Sequence, residues 1–221
     1  MTLPDNFIFL DAMVDPTKKF VYVHIAKNAS SKIMSVLRKE GWVGIDGMFL
    51  EDVPAYLEDK KIFCILREPY QRYLTGFVNY LGSVECLDYD ELIGYSLRKL
   101  LRYNNKSNFD VLRLAFNYGK FDFDVHTRLQ VKSLGNLDTS KIDFFYLNDK
   151  LGVQLNKYFQ SHNTLIPFNN AKINPRPDDN FHKVLLTNFF EKEEHIMFKE
   201  NLLNYLKPDY DLINSIKFYN V

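Results

Sequence analysis

The chain has 221 residues, enough for one well-buried domain. Hydrophobic residues make up 46% and aromatic residues 15%, which excludes a disordered chain. Lys+Arg and Asp+Glu each count 28, so no global field attracts nucleic acid or an anionic membrane, and any anion binding falls to local basic clusters.

Residues 1–5 carry no basic segment leading into an apolar stretch, and no apolar run approaches the ~20 residues needed to cross a bilayer. The expectation is a soluble, cytoplasmic protein. The first clear element is the β-branched and aromatic run 20–25, from Phe20 to Ile25, which reads as a buried strand. A short polar turn follows with Lys27, Ser30 and Ser31, and then a helix over 31–40 with Ile33, Met34 and Leu37 on its inner face. Gly41 is a natural stop for it. A strand leading through a Lys-bearing turn into a helix N-terminus holds phosphates, because backbone N–H groups and the helix dipole both point at the anion.

The run 62–66 predicts a second buried strand, with Cys64 a buried thiol inside it. Arg67 stands at its carboxyl end, and Pro69 opens a helix over 69–81. This repeats the logic of the first turn: ligands of open α/β sheets bind beyond the strand ends, and an arginine there grips a phosphate bidentately. Thr75 on the following helix offers a hydroxyl. Two such turns suggest a ligand with two separated phosphate groups. Arg72 reads as a solvated helix residue, with its role left open.

Further helices are expected over 88–102, 109–117 and 150–160, a third strand over 143–147, and helical C-terminal segments over 181–206 and 209–217. The stretch 168–180, with Pro175 and Pro177, reads as a surface loop whose Lys172 and Arg176 could grip an acidic acceptor or the cofactor but read more simply as solvated charges. Cys86 falls in a loop; no disulfide framework and no Cys/His zinc spacing is present, so a reducing compartment is expected. Buried strands without polar alternation, separated by helices, predict a single α/β domain over 1–221, in three layers, with a small central parallel sheet flanked by helices and a helical C-terminal part.

The segment His24-Ile25-Ala26-Lys27-Asn28-Ala29-Ser30-Ser31 resembles the 5′-phosphosulfate turn of carbohydrate sulfotransferases, H-x-P-K-x-G/A-x-T/S. Residues 66–77, from Leu66 through Arg67-Glu68-Pro69 to Phe77, resemble their 3′-phosphate motif, R-[DE]-P-x-x-R-x-x-S/T. More loosely, 125–130 resembles the H-W-x-P-Q stretch of the chondroitin/dermatan branch, and 205–219 a C-terminal Y-x-x-D-Y helix. The resemblance implies a P-loop-like fold and the cofactor 3′-phosphoadenosine-5′-phosphosulfate (PAPS), with 3′,5′-ADP as product and no metal. It also implies a carbohydrate or other hydroxyl acceptor, with neither nucleic acid nor membrane as partner. Lys27 would contact the 5′-phosphate and the bridging oxygen; Asn28, Ala29, Ser30 and Ser31 would cradle that phosphate; Arg67 and Thr75 would hold the 3′-phosphate. Ala26 departs from the usual Pro, and Ala29 and Ser30 stand where many members have glycines. Lacking a Golgi anchor, the chain would sit with soluble bacterial or viral relatives.

Sulfuryl transfer needs charge stabilisation at the leaving oxygen, which is Lys27's part, and a base for the acceptor proton. No histidine lies between Lys27 and Arg67, where heparan-type relatives have one. The candidates are His126, which follows Asp122 and Asp124; the acidic group Asp46, Glu51 and Asp52; and His24, which reads more simply as packing beside the turn. Two other classes compete. A P-loop kinase or NTPase would need G-x-x-x-x-G-K-[ST], whereas Lys27 lacks both the preceding glycines and a directly following Ser or Thr. A non-catalytic nucleotide-binding protein would keep the turns and lack the base.

Overall fold

The computed structural model describes residues 11–45, 57–82, 121–122, 125–135, 137–168 and 190–219. The helices expected over 88–102 and 109–117 lie outside these residues. So do Asp46, Glu51, Asp52, Cys86, Asp124, Lys172 and Arg176. The chain divides into two compact units interleaved in sequence. The first comprises Met1–Glu68, Gln130–Arg176 and Asp211–Val221; the second comprises Pro69–Leu129 and Pro177–Tyr210.

The first unit is built on a five-stranded sheet: β1 (Ala12–Val14), β2 (Phe20–Val23), β3 (Val43–Ile45), β4 (Lys61–Leu66) and β5 (Ile142–Tyr146), in the order β3-β1-β2-β4-β5. The three strands read from sequence, β2, β4 and β5, run parallel, with Val23 beside Cys64 and Cys64 beside Phe144. The sheet is nevertheless mixed, which corrects the wholly parallel expectation: β1 pairs antiparallel with both β2 and β3. Both added strands are three residues long, too short to give a periodic signal. The β1–β2 hairpin rests on Asp15, whose carboxylate accepts from the backbone N–H of Thr17 at 2.9 Å, from the Thr17 hydroxyl, and from the Phe20 N–H at 2.7 Å. An Asp-Pro pair is a turn initiator of this kind.

Side chains alternate between two buried faces. Met13, Phe20, Tyr22, Phe63, Ile65 and Phe145 meet Ile33 and Leu37 of α1 (Ser30–Lys39) and Leu151, Leu155, Tyr158 and Phe159 of α4 (Leu151–Ser161). Val14, Val21, Val23, Ile62, Cys64 and Phe144 face the other way, toward Leu134 of α3 (Gln130–Leu134) and Leu212. Burial on both faces explains why these strands read as continuous apolar runs, and each large side chain removed from water contributes about 1.5–3 kcal/mol. α1 stops as its sequence predicts. Gly41 takes φ +80°, its N–H reaches Arg38 O at 3.1 Å, and the Trp42 N–H reaches Leu37 O at 3.1 Å, the two bonds of a Schellman stop. At the outer edge of β5 the Tyr219 N–H donates to Phe144 O at 2.7 Å.

The second unit contains α2 (Pro69–Gly82) and most of α5 (Ile196–Ser215). Separate helices were expected over 181–206 and 209–217; instead α5 is one helix that runs through Pro208, and 193–195 forms a short 3₁₀ turn before it. Proline inside a helix costs ~3 kcal/mol. Leu202, Leu206 and Leu212 are buried on either side of it, and burial of these three apolar side chains outweighs the cost. Within this unit the ring of Tyr205 stacks on Phe121 with centroids 5.3 Å apart, and its hydroxyl donates to Thr127 O at 3.3 Å.

Candidate functional site

β2 ends at Val23, and the chain reaches α1 in six residues through a turn of unusual shape. Lys27 has φ +69° and Ala29 φ +59°, both left-handed, with Asn28 between them. Non-glycine residues pay about 1–2 kcal/mol for that conformation, and such cost persists where the surroundings over-determine it, often at functional sites. Here the surroundings are polar and buried. The Asn28 side chain is fully buried and donates from Nδ2 to Ile65 O at 2.8 Å and to Gln130 Oε1 at 2.7 Å; its backbone N–H goes to Ile25 O at 3.3 Å. Asn28 therefore holds the turn from inside, with its own N–H spent on the protein.

The cradle that remains is the start of α1. Ala29 is the cap residue and has no side chain to satisfy the first N–H groups. Lys32 and Ile33 both donate to Ala29 O, at 3.0 and 3.1 Å, while Ser30 and Ser31 occupy the first two helical positions, whose N–H groups have no intrahelical acceptor. Ser30 is buried and Ser31 exposed. No acidic residue stands in the first turn to compete for an anion.

Arg67 follows β4 directly, and its Nη1 donates to Lys27 O at 3.3 Å. The two cation-bearing turns thus lie side by side at the ends of neighbouring parallel strands. Gln130 joins them. Its Oε1 accepts from the Arg67 N–H at 3.0 Å as well as from Asn28, and its Nε2 donates back to Arg67 O at 2.9 Å. This fully buried side chain was not assigned a role from sequence. The only signal was its place at the end of the loosely matched segment 125–130.

His24 sits just past the end of β2 with its side chain 12% exposed, and its Nδ1 lies 2.5 Å from Asp11 Oδ2. The backbone pairs as well, His24 N–H to Asp11 O at 2.8 Å. Beside it, Tyr22 is fully buried, its hydroxyl has no hydrogen-bond partner among the described residues, and burial pushes its ionisation well above the ordinary tyrosine range.

Thr75 and His126 belong to the second unit. The Thr75 hydroxyl donates to Gln71 O at 2.8 Å along α2, so donation to a ligand requires it to turn away from its own helix. His126 lies in a turn over 125–127, half-buried, and its backbone carbonyl presses on Gly76 so closely that a Cβ there would overlap it. Arg72 is not the solvated residue expected. It is fully buried and donates from Nη1 to Arg128 O at 2.7 Å. Burial, the charge of Asp122 and that of Asp209 together raise the ionisation of Tyr205, which Arg72 opposes.

Among the described residues no group of three or more His, Cys, Asp or Glu is placed to hold a metal, and no helix is long and apolar enough to cross a membrane. No family model, no curated protein and no solved structure matches the chain.

Proposed function

We propose that the chain is a sulfotransferase that moves the sulfuryl group of PAPS to a hydroxyl of a carbohydrate-like acceptor. The observation that carries this reading is the bond from Arg67 Nη1 to the Lys27 backbone carbonyl at 3.3 Å, which sets two phosphate-type turns, each bearing a cation, side by side and tied to one buried glutamine. A ligand with one phosphate leaves one of these turns idle, whereas PAPS carries a phosphate for each. On this reading the N–H groups of Ala29, Ser30 and Ser31 cradle the 5′-phosphate, and Asn28 keeps the turn in shape. Lys27 neutralises charge on the oxygen released from sulfur, and Arg67 holds the 3′-phosphate. The β2–turn–α1 segment is then P-loop-like and the fold three-layered, without the glycines that a nucleoside triphosphate loop needs.

Calorimetric titration with 3′,5′-ADP, in buffer containing chelator, tests this reading against its rivals. Binding of 3′,5′-ADP in preference to ATP supports it. Magnesium-dependent binding of ATP with none of 3′,5′-ADP would replace it with a kinase or NTPase. A chain that binds 3′,5′-ADP yet transfers sulfate to no hydroxyl acceptor would be a nucleotide-binding protein.

A further inference from the structure

We propose that the general base at this site is His24, oriented by Asp11; the inference rests on the sulfotransferase reading. The geometry is that of an imidazole prepared to accept a proton. A carboxylate oxygen 2.5 Å from Nδ1 fixes the tautomer with the proton on Nδ1, which leaves the lone pair on Nε2. Among the described residues none hydrogen-bonds to Nε2, so none of them occupies that lone pair. The ring is nearly buried and Asp11 is 46% exposed, so the carboxylate stays hydrated while the imidazole is sheltered.

Position supports the same role. His24 is three residues before Lys27 on the same segment, so their Cα atoms lie within about 11 Å of each other at the end of the same strand. The antiparallel register that pairs Ala12 with Val23 continues to Asp11 and His24, and this ladder holds the Asp11 carboxylate on the inner nitrogen of the ring.

In the step this implies, the acceptor hydroxyl passes its proton to His24 Nε2 as its oxygen bonds to sulfur. The bond from sulfur to the 5′-phosphate oxygen breaks, and that oxygen keeps the electron pair beside Lys27. The products are a sulfate ester, 3′,5′-ADP and an imidazolium that releases its proton to solvent. Asp11 is a positioning residue: it touches neither reactant and acts through the imidazole.

The test follows 3′,5′-ADP release from PAPS with water alone, and with unsulfated chondroitin or heparosan added, in wild type, His24→Ala, His24→Gln, Asp11→Asn and His126→Ala. Affinity for 3′,5′-ADP is measured calorimetrically on each. The expected result is a fall in kcat of at least about 100-fold for both His24 variants, with the Kd for 3′,5′-ADP within a few-fold of wild type and partial rescue of His24→Ala by added imidazole. Asp11→Asn should lose less than His24→Ala, again in kcat rather than in Kd. Unchanged kcat in His24→Ala, loss of turnover in His126→Ala instead, or equal loss of kcat and nucleotide affinity would each overturn the inference. So would a wild-type chain that binds the nucleotide and turns PAPS over with none of these acceptors. Absence of any 3′,5′-ADP binding by wild type is a different failure, that of the sulfotransferase reading itself.

Discussion

The guanidinium of Arg67 donates to the backbone carbonyl of Lys27 across 3.3 Å, so a residue at the end of β4 helps to fix the turn at the end of β2. Arg67 is therefore a brace for the neighbouring turn, and under the proposed function it is also a charge for the ligand.

Replacing either cation separates the two contributions. Lys27→Ala should abolish turnover with a modest change in 3′,5′-ADP affinity, because the charge it neutralises develops as the bond to sulfur breaks. Arg67→Ala should weaken 3′,5′-ADP binding by about 10- to 150-fold, the loss of a charge-assisted contact on the order of 1.5–3 kcal/mol. Calorimetry and steady-state kinetics on the two variants check the split; unchanged values in either would remove that residue from the site.

Gln130 is the residue on which both turns depend. Gln130→Met keeps the volume but strips partners from the Arg67 N–H, the Arg67 carbonyl and one donor of Asn28. Each of these three hydrogen bonds contributes about 0.5–1.5 kcal/mol net, so a stability loss of roughly 2–4 kcal/mol is expected by denaturant unfolding. Asn28→Ala should be destabilising too, and because the two share a bond the double variant should lose about 1 kcal/mol less than the sum. Strict additivity would mean the Asn28–Gln130 bond carries no energy.

Much of this region was legible in the chain, and the limits of legibility are physical. The strands β2, β4 and β5 announced themselves because burial on both faces demands unbroken apolar runs such as Phe20 to Val23. Lys27 and Arg67 were legible because each follows such a run. Gln130 was not, since its partners lie 63 and 102 residues away and nothing local marks a buried amide. Asp11 was missed for a similar reason, being 13 residues from His24 across a hairpin whose first strand has only three residues. Arg72 misled because arginines on helices usually face water, and only tertiary structure shows this one fully buried.

The turn itself carries strain that a substitution can relieve. Ala29 holds φ +59° and ψ +13°, where glycine pays no Cβ penalty. Ala29→Gly should therefore stabilise the fold by about 0.5–1 kcal/mol, the relief exceeding the added freedom of the unfolded chain. Ala29→Val should destabilise by more than that, since a β-branched residue is a true outlier there. Thermal melts of the three proteins give the order Gly, Ala, Val; a Gly variant less stable than wild type would mean the turn is not strained.

Burial of neutral acids makes the fold vulnerable to alkali. Desolvation raises the Cys64 thiol against a smaller opposing effect of its hydrogen bond to the Ile65 backbone, and raises the Tyr22 hydroxyl, with Cys64 and Asp11 adding to the effect. The Tyr158 hydroxyl is raised by burial and by Asp143, to which it donates at 2.8 Å. For each group the folded value lies above the unfolded one, so the stabilisation is complete below the unfolded value and is lost as pH rises past it. That point is about 8.5 for cysteine and about 10 for tyrosine. Between its unfolded and folded values each fully buried group removes about 1.4 kcal/mol per pH unit. Stability should thus be flat from neutrality to about pH 8, begin to fall near 8.5, and steepen above 10. Denaturant unfolding at intervals from pH 7 to 11 measures the curve. Cys64→Ala, compared with wild type, should delay the first descent while leaving the steeper tyrosine descent in place. An identical onset in both proteins would show that the Cys64 thiolate is not what the fold excludes.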